Sequence, residues 1–168
     1  MSYTFYEAAI PQLLRMLGNL SAILDKTAAH AEAKKIDPRA LLDARLSPDM
    51  YPLTRQVQMA CDSAKGAAAR LSGAELPSFP DTETSFDELK ARIAKTVDYI
   101  KSIPAEKFDG AEDRTVELKT PSRTLTFTGR TYLSGFVQPN FFFHLTTAYA
   151  LLRHNGVEIG KMDFLGGV

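Results

Sequence analysis

The stretch PNFFFHLTTAYALLRHNG, Pro139 to Gly156, decides the fold. It opens with proline and closes with Arg-His-Asn-Gly, start and stop signals at the correct ends of a helix. Phe141, Phe142, Leu145, Ala148, Tyr149 and Leu152 make it apolar around much of its circumference. The pattern predicts a helix over Pro139–Asn155 that is buried on more than one side. Asn140 and His144 stand four residues apart, on one face and able to meet one partner.

Working outward, Gly129 to Gln138 is ambiguous, with Tyr132, Leu133, Phe136 and Val137 apolar. Before it, TVELKT and RTLTFTG alternate apolar and polar residues around a Thr-Pro-Ser turn, a hairpin signature. Two strands alone are marginal in water, so the hairpin must pack on helices or pair across a dimer. On the other side, GVEIGKMDFLGGV is glycine-broken and is expected to drape over the surface.

Three more helical stripes precede the hairpin. Over residues 4–29, Ile10, Leu13, Leu14, Leu17, Leu20 and Leu24 recur at helical spacing, with Tyr3 and Tyr6 leading in. Pro11 marks either the true start of this helix or a kink one turn in. Asp37-Pro38 caps a short helix, PRALLDARL, and the two prolines of SPDMYPL force a loop. The second long helix, Leu53 to Leu71, carries Leu53, Val57, Ala60, Ala64, Ala67, Ala68 and Leu71 on its seam. Its alanines allow a neighbouring helix to approach closely. Gln56, Met59, Asp62 and Ser63 lie on the shoulder of that seam, where polar groups are either solvated or line a groove. The loop LPSFPDTETS is expected to cross the end of the helices. Thr84 or Ser85 then caps a third helix, with Glu88 as the capping-box acid and Phe86, Leu89, Ile93, Val97, Ile100 and Ile103 as its stripe. These elements predict an all-α domain over 1–168, an antiparallel four-helix bundle with a small β-hairpin between helices 3 and 4.

Composition narrows the function. Twenty basic residues balance twenty acidic ones, leaving no net field to hold nucleic acid or an anionic membrane. Residues 1–12 have no basic signal-like region, and no apolar run approaches the ~20 residues of a membrane span, so the cytoplasm is the expected location. The single cysteine, Cys61, excludes an intramolecular disulfide and a cysteine zinc cage. Its alanine-rich surroundings and the adjacent Asp62 suit a small hydrophobe rather than a nucleophile. There is no phosphate-binding glycine loop, HExxH or nucleophile elbow. Of the three histidines, His30 reads as a solvated residue near a helix C-terminus. His154 is ten residues from His144, about 80° away in helical phase at ~100° per residue. His144, among Phe141, Phe142, Phe143 and Leu145, is expected to be partly buried and neutral.

The segments LSPDMYPLTRQVQMACDSAKGAAARL and FVQPNFFFHLTTAYALLRHNGVEIGKMDFLG resemble an uncharacterised, domain-of-unknown-function branch of the DinB/YfiT-like superfamily, and the likeness extends over essentially the whole chain. The resemblance implies a four-helix bundle, often a homodimer. In many members it also implies a divalent metal held by one histidine on helix 2 and an HxxxH pair on the last long helix. Some members are thiol-dependent transferases or isomerases. Aligning LLRHNG with the family's helix end puts His144 on the second histidine of that pair and Asn140 on the first. The helix-2 histidine falls near Met59, and no histidine occurs from 31 to 143. One imidazole and an amide hold Zn²⁺ or Ni²⁺ weakly, and Asp62 or Asp49 would be needed as substitutes. The expectation is therefore a homodimer that binds a small molecule or is stress-associated, without metal or cofactor. Its degenerate metal groove would be lined by His144, Asn140, Gln56 and Asp62. The alternative is a divergent thiol-dependent transferase or metal-dependent hydrolase, and a purely structural dimerisation module is a third reading.

Overall fold

The computed structural model describes residues 4–120 and 122–167; Tyr3 and Pro121, named above in the helix lead-in and the hairpin turn, lie outside them. The protein is mostly helical, with one two-stranded antiparallel hairpin.

Helix α1 (Phe5–Lys34) begins at a full capping box: Glu7 N–H donates to Thr4 Oγ1 and the Glu7 carboxylate accepts from Thr4 N–H. Pro11 therefore lies inside the helix rather than at its start. Lys35, in the left-handed conformation, ends it five residues beyond the expected limit. Asp37 caps α2 (Pro38–Leu42) by accepting from Arg39 N–H. Helix α3 (Leu53–Ser72) stops at Gly73, with φ of +74°. The predicted seam residues of α3 are all buried.

Helix α4 (Phe86–Lys101) divides its cap between two residues. Ser85 Oγ accepts from Glu88 N–H, while the Glu88 carboxylate accepts from Thr84 N–H and Oγ1–H. After a 3₁₀ turn at Ala105–Phe108, strands β1 (Thr115–Lys119) and β2 (Thr124–Thr128) pair antiparallel, with Val116 opposite Phe127. Val116 is buried, and the Phe127 ring packs 5.8 Å from Tyr132 and 6.0 Å from Phe136. The hairpin thus rests on the helices.

Pro139 falls in the first turn of the last long helix, as expected, but that helix does not rise from a loop. Helical backbone runs on from α5 (Gly129–Tyr132) through a π turn at Leu133–Val137 into α6 (Gln138–His154). A proline inside a continuous helical run removes an N–H and crowds the carbonyl four residues back. The widened turn directly ahead of Pro139, in which Gln138 N–H donates to Leu133 O, accommodates both. The C-terminal tail also departs from expectation. Val157 and Ile159 are buried, and α7 (Lys161–Leu165) docks on α1, where Asn19 Nδ2 donates to Phe164 O at 2.9 Å.

Side-chain contacts fix the helix directions. Asn140 meets Ser63 and His144 meets Gln56, so α6 runs antiparallel to α3. Tyr6 meets Phe108 beyond the end of α4 and Asp25 meets Lys90, so α1 and α4 are also antiparallel. Arg92 meets Asp62 while Tyr99 donates to Glu75 O, so α3 and α4 run the same way. The loop 74–85 therefore does not simply cross an end of the helices, contrary to expectation. It doubles back along α3, bringing Asp81 to Arg55 and Glu83 to Gln58.

Candidate functional site

His144, 5% exposed, is held by a short relay. Its Nδ1 lies 2.8 Å from Gln56 Oε1, and Gln56 Nε2–H₂ donates to Tyr51 O at 3.1 Å. Because the amide nitrogen serves Tyr51, the oxygen faces the ring and must accept, which puts the imidazole proton on Nδ1. Nε2 then carries the lone pair and has no protein partner among the described residues. The one fully buried side-chain nitrogen or oxygen without a partner among those residues is Arg92 Nε, so His144 Nε2 is reached by solvent. Burial pushes the His144 pKa below its ordinary 6.5, and the nearby Arg55 charge lowers it further. The site presents a neutral, tautomerically fixed hydrogen-bond acceptor or base.

One turn along the same interface, Asn140 Nδ2 lies 3.4 Å from Ser63 Oγ. Met59 occupies the α3 turn between Gln56 and Ser63. His144, Gln56 and Asn140 thus share one interface. Asp62 does not join them. Six residues from Gln56, it points about 120° away on α3, at ~100° per residue. There its Oδ1 accepts from Arg92 and from Lys65, each at 3.0 Å. Asp49 is occupied by Ser47 in the loop before α3, and its carboxyl is held below the ordinary value by that hydroxyl. Among the described residues, no group of three or more His, Cys, Asp or Glu side chains is placed to hold a metal ion. The donors at His144 are one imidazole and two amides, which do not fit the three-histidine chemistry of the superfamily.

Arg92 is the residue that the sequence pattern did not single out. Its side chain, 2% exposed, bonds Asp62, Asp81 and Glu83 and donates to Pro80 O. It ties α3, α4 and the loop 74–85 together. A signal was present: Arg92 shares the helical face of Leu89, Ile93 and Ile100, where an arginine must be matched by acids.

Cys61 is fully buried, and burial pushes its thiol up to about 12 against the opposing pull of the Thr96 hydrogen bond and the Arg92 charge. The native protein is expected to be inert to aromatic disulfide reagents at mildly alkaline pH and to release one thiol equivalent on unfolding; fast native labelling would contradict the buried placement. His30 is half-buried in the last turns of α1 and His154 is exposed at the end of α6, neither near the relay.

A family model, "Domain of unknown function (DUF1993)", matches residues 5–165. The chain belongs to this family. A crystal structure of a DinB family member protein from Shewanella denitrificans is similar at 43% identity with a TM-score of 0.88, covering 97% of this chain and 92% of that one. The protein is thus a DinB-like member of the DUF1993 family. No curated protein matches it. No described helix is long and apolar enough to cross a membrane.

Proposed function

We propose that this DUF1993 protein binds a small molecule, without a metal, at the solvent-reached Nε2 of His144. In this reading the four long helices form a DinB-type bundle of two antiparallel pairs, and Asn140 and Gln56 are the amide groups beside the bound ligand. The observation that carries it is the His144–Gln56–Tyr51 relay, which fixes one tautomer and leaves the other nitrogen free. A neutral imidazole so held recognises a ligand N–H or O–H. Protein purified without chelator is expected to contain no stoichiometric transition metal by elemental analysis; one equivalent per chain would overturn the metal-free reading.

The same relay yields a pH prediction. In the native state His144 is expected to titrate below 6.5 by NMR, with its proton on Nδ1. Because the folded pKa lies below the unfolded one, the unfolded chain binds the extra proton first. Stability should therefore be full above 6.5, fall as pH drops below that value, and level off below the native pKa. Gln56→Leu removes the acceptor and should release the tautomer preference. A native pKa at or above the ordinary value would remove the site's physical basis.

A second reading has one observation in its favour. The free Nε2 of a neutral imidazole can take the proton of an exogenous thiol; the thiolate then attacks an electrophilic carbon, the bond from that carbon to its leaving group breaks, and the imidazolium returns the proton to the departing group. Thiol-dependent turnover lost in His144→Ala would favour this transferase reading, and activity unchanged in that variant would exclude His144 as the base. The homodimer belongs to the same proposal, supported by Phe143 and Tyr51, large apolar residues each 55% exposed next to the relay. Sedimentation equilibrium tests it, a monomer at all concentrations counting against it.

A further inference from the structure

We propose that the cleft between α3 and the doubled-back loop, remote from His144, binds a small organic carboxylate through Arg70. The cleft has a volume of about 390 Å³ and is walled by Lys65, Arg70, Leu76, Pro77, Ser78 and Phe79. Arg70 Nη1–H donates to the Tyr132 hydroxyl at 3.2 Å, and Arg70 forms no ion pair among the described residues. Its Nε and Nη2 have no protein partner there, and neither is fully buried. Those two nitrogens form the side-on edge of the guanidinium, the fork that matches the two oxygens of a carboxylate.

The helix is shaped for this arrangement. A Cβ on Gly66 would stand 2.5 Å from Arg70 Nη1, so the glycine lets the guanidinium lie against the helix. Lys65 packs in the wall of the cleft, its Nζ 3.0 Å from Asp62 Oδ1 and 4.3 Å from the centre of the Phe79 ring. Asp62 is the opposing carboxylate in the cleft, but its Oδ1 is already shared by Lys65 and Arg92. With Asp62 neutralised by Lys65 and Arg92, Arg70 is the cation of the cleft without a counter-charge among the described residues, and it favours an anion. Leu76, Pro77 and Phe79 offer an apolar wall, which suits a carboxylate carried on a small apolar or aromatic body.

Benzoate is the probe, titrated into the full chain by calorimetry and by NMR of the arginine Nε–H and the amides of residues 65–79. Saturable binding is expected, in the millimolar range or tighter for so small an anion, with benzyl alcohol giving none. Arg70→Lys keeps the charge but loses the fork and should weaken benzoate by about tenfold or more. Gly66→Ala should weaken it similarly while the helix is retained, because only the end of a flexible side chain has to move. His144→Ala should leave it unchanged, which separates this cleft from the site proposed above. The inference is overturned by the absence of saturable shifts at residues 65–79, or by equal affinity in wild type, Arg70→Lys and Gly66→Ala.

Discussion

Replacing Arg92 by methionine should cost about 3 kcal/mol of stability, the low end of what removing one partner of a buried ion pair costs. The guanidinium is 2% exposed and meets Asp62 at 3.0 Å, Asp81 at 2.9 Å and Glu83 at 3.0 Å. Methionine fills the volume but leaves three converging carboxylates. Lys65 and Arg55 remain for Asp62 and Asp81, and Gln58 for Glu83. The low end applies because Asp62 and Asp81 are 35% and 39% exposed, so water relieves part of the repulsion. Urea unfolding measures the loss, and hydrogen exchange over 74–85 should show that loop opening first. The loss should also depend on pH. Burial pushes the Glu83 carboxyl up, but the Arg92 and Gln58 hydrogen bonds outweigh it and hold the group below its ordinary 4.5. In the wild type this contribution is present above 4.5 and lost as pH falls through the lower native value. The gap between wild type and Arg92→Met should therefore narrow with acidification. A gap that is small at neutral pH, or constant across the acid range, would mean that Arg92 does not hold the loop.

The four helical stripes were legible because each repeats a local period, and burial then followed: Leu53, Val57, Ala60 and Ala64 are all fully enclosed. The hairpin was legible for the same reason. What was not legible depends on geometry between elements. Pro139 carries the same start signal whether it opens a helix or follows a π turn, and only the packing of Tyr132, Leu133 and Val137 decides. The direction of α4 depends on the course of loop 74–85, and prolines report that it turns without saying which way. At the site, Asn140 and His144 were legible as one helical face, whereas Gln56 and Asp62 were both read as shoulder groups of the α3 seam, and only Gln56 meets His144. The helical angle of Asp62 carries it to Arg92, and that partner is thirty residues away. Arg70 was hidden for a related reason. It continues the Gln56–Ser63 line at seven-residue spacing, but the room made for it by Gly66 exists only in three dimensions.

Gly129→Ala should be at least as damaging as the loss of Arg92, for a steric reason. A Cβ at this position would fall inside the carbonyl of Ala111, overlapping its oxygen and standing 2.9 Å from its carbon and 3.3 Å from Leu71 Cδ2. Ala111 is fully buried, and next to it Arg130 N–H donates to Glu112 O at 2.9 Å, so neither backbone is free to withdraw. The obstacle is main chain in a close-packed interior, and overpacking of this kind costs about 3 kcal/mol. Two other glycines make the contrast. Gly18, within α1, has nothing within 4 Å of the place a methyl group would take, so Gly18→Ala should stabilise by roughly 0.5–1 kcal/mol through helix propensity. Gly66→Ala meets only the tip of Arg70 and should be close to neutral in stability. Thermal unfolding of the three variants thus separates steric need from backbone freedom. Gly129 also joins β2 to the continuous helix that carries His144, so a variant that stays folded should show altered His144 shifts some distance from the substitution. Equal melting temperatures for Gly129→Ala and Gly18→Ala would show that the 111–129 contact has room to yield and that the hairpin does not anchor the site helix.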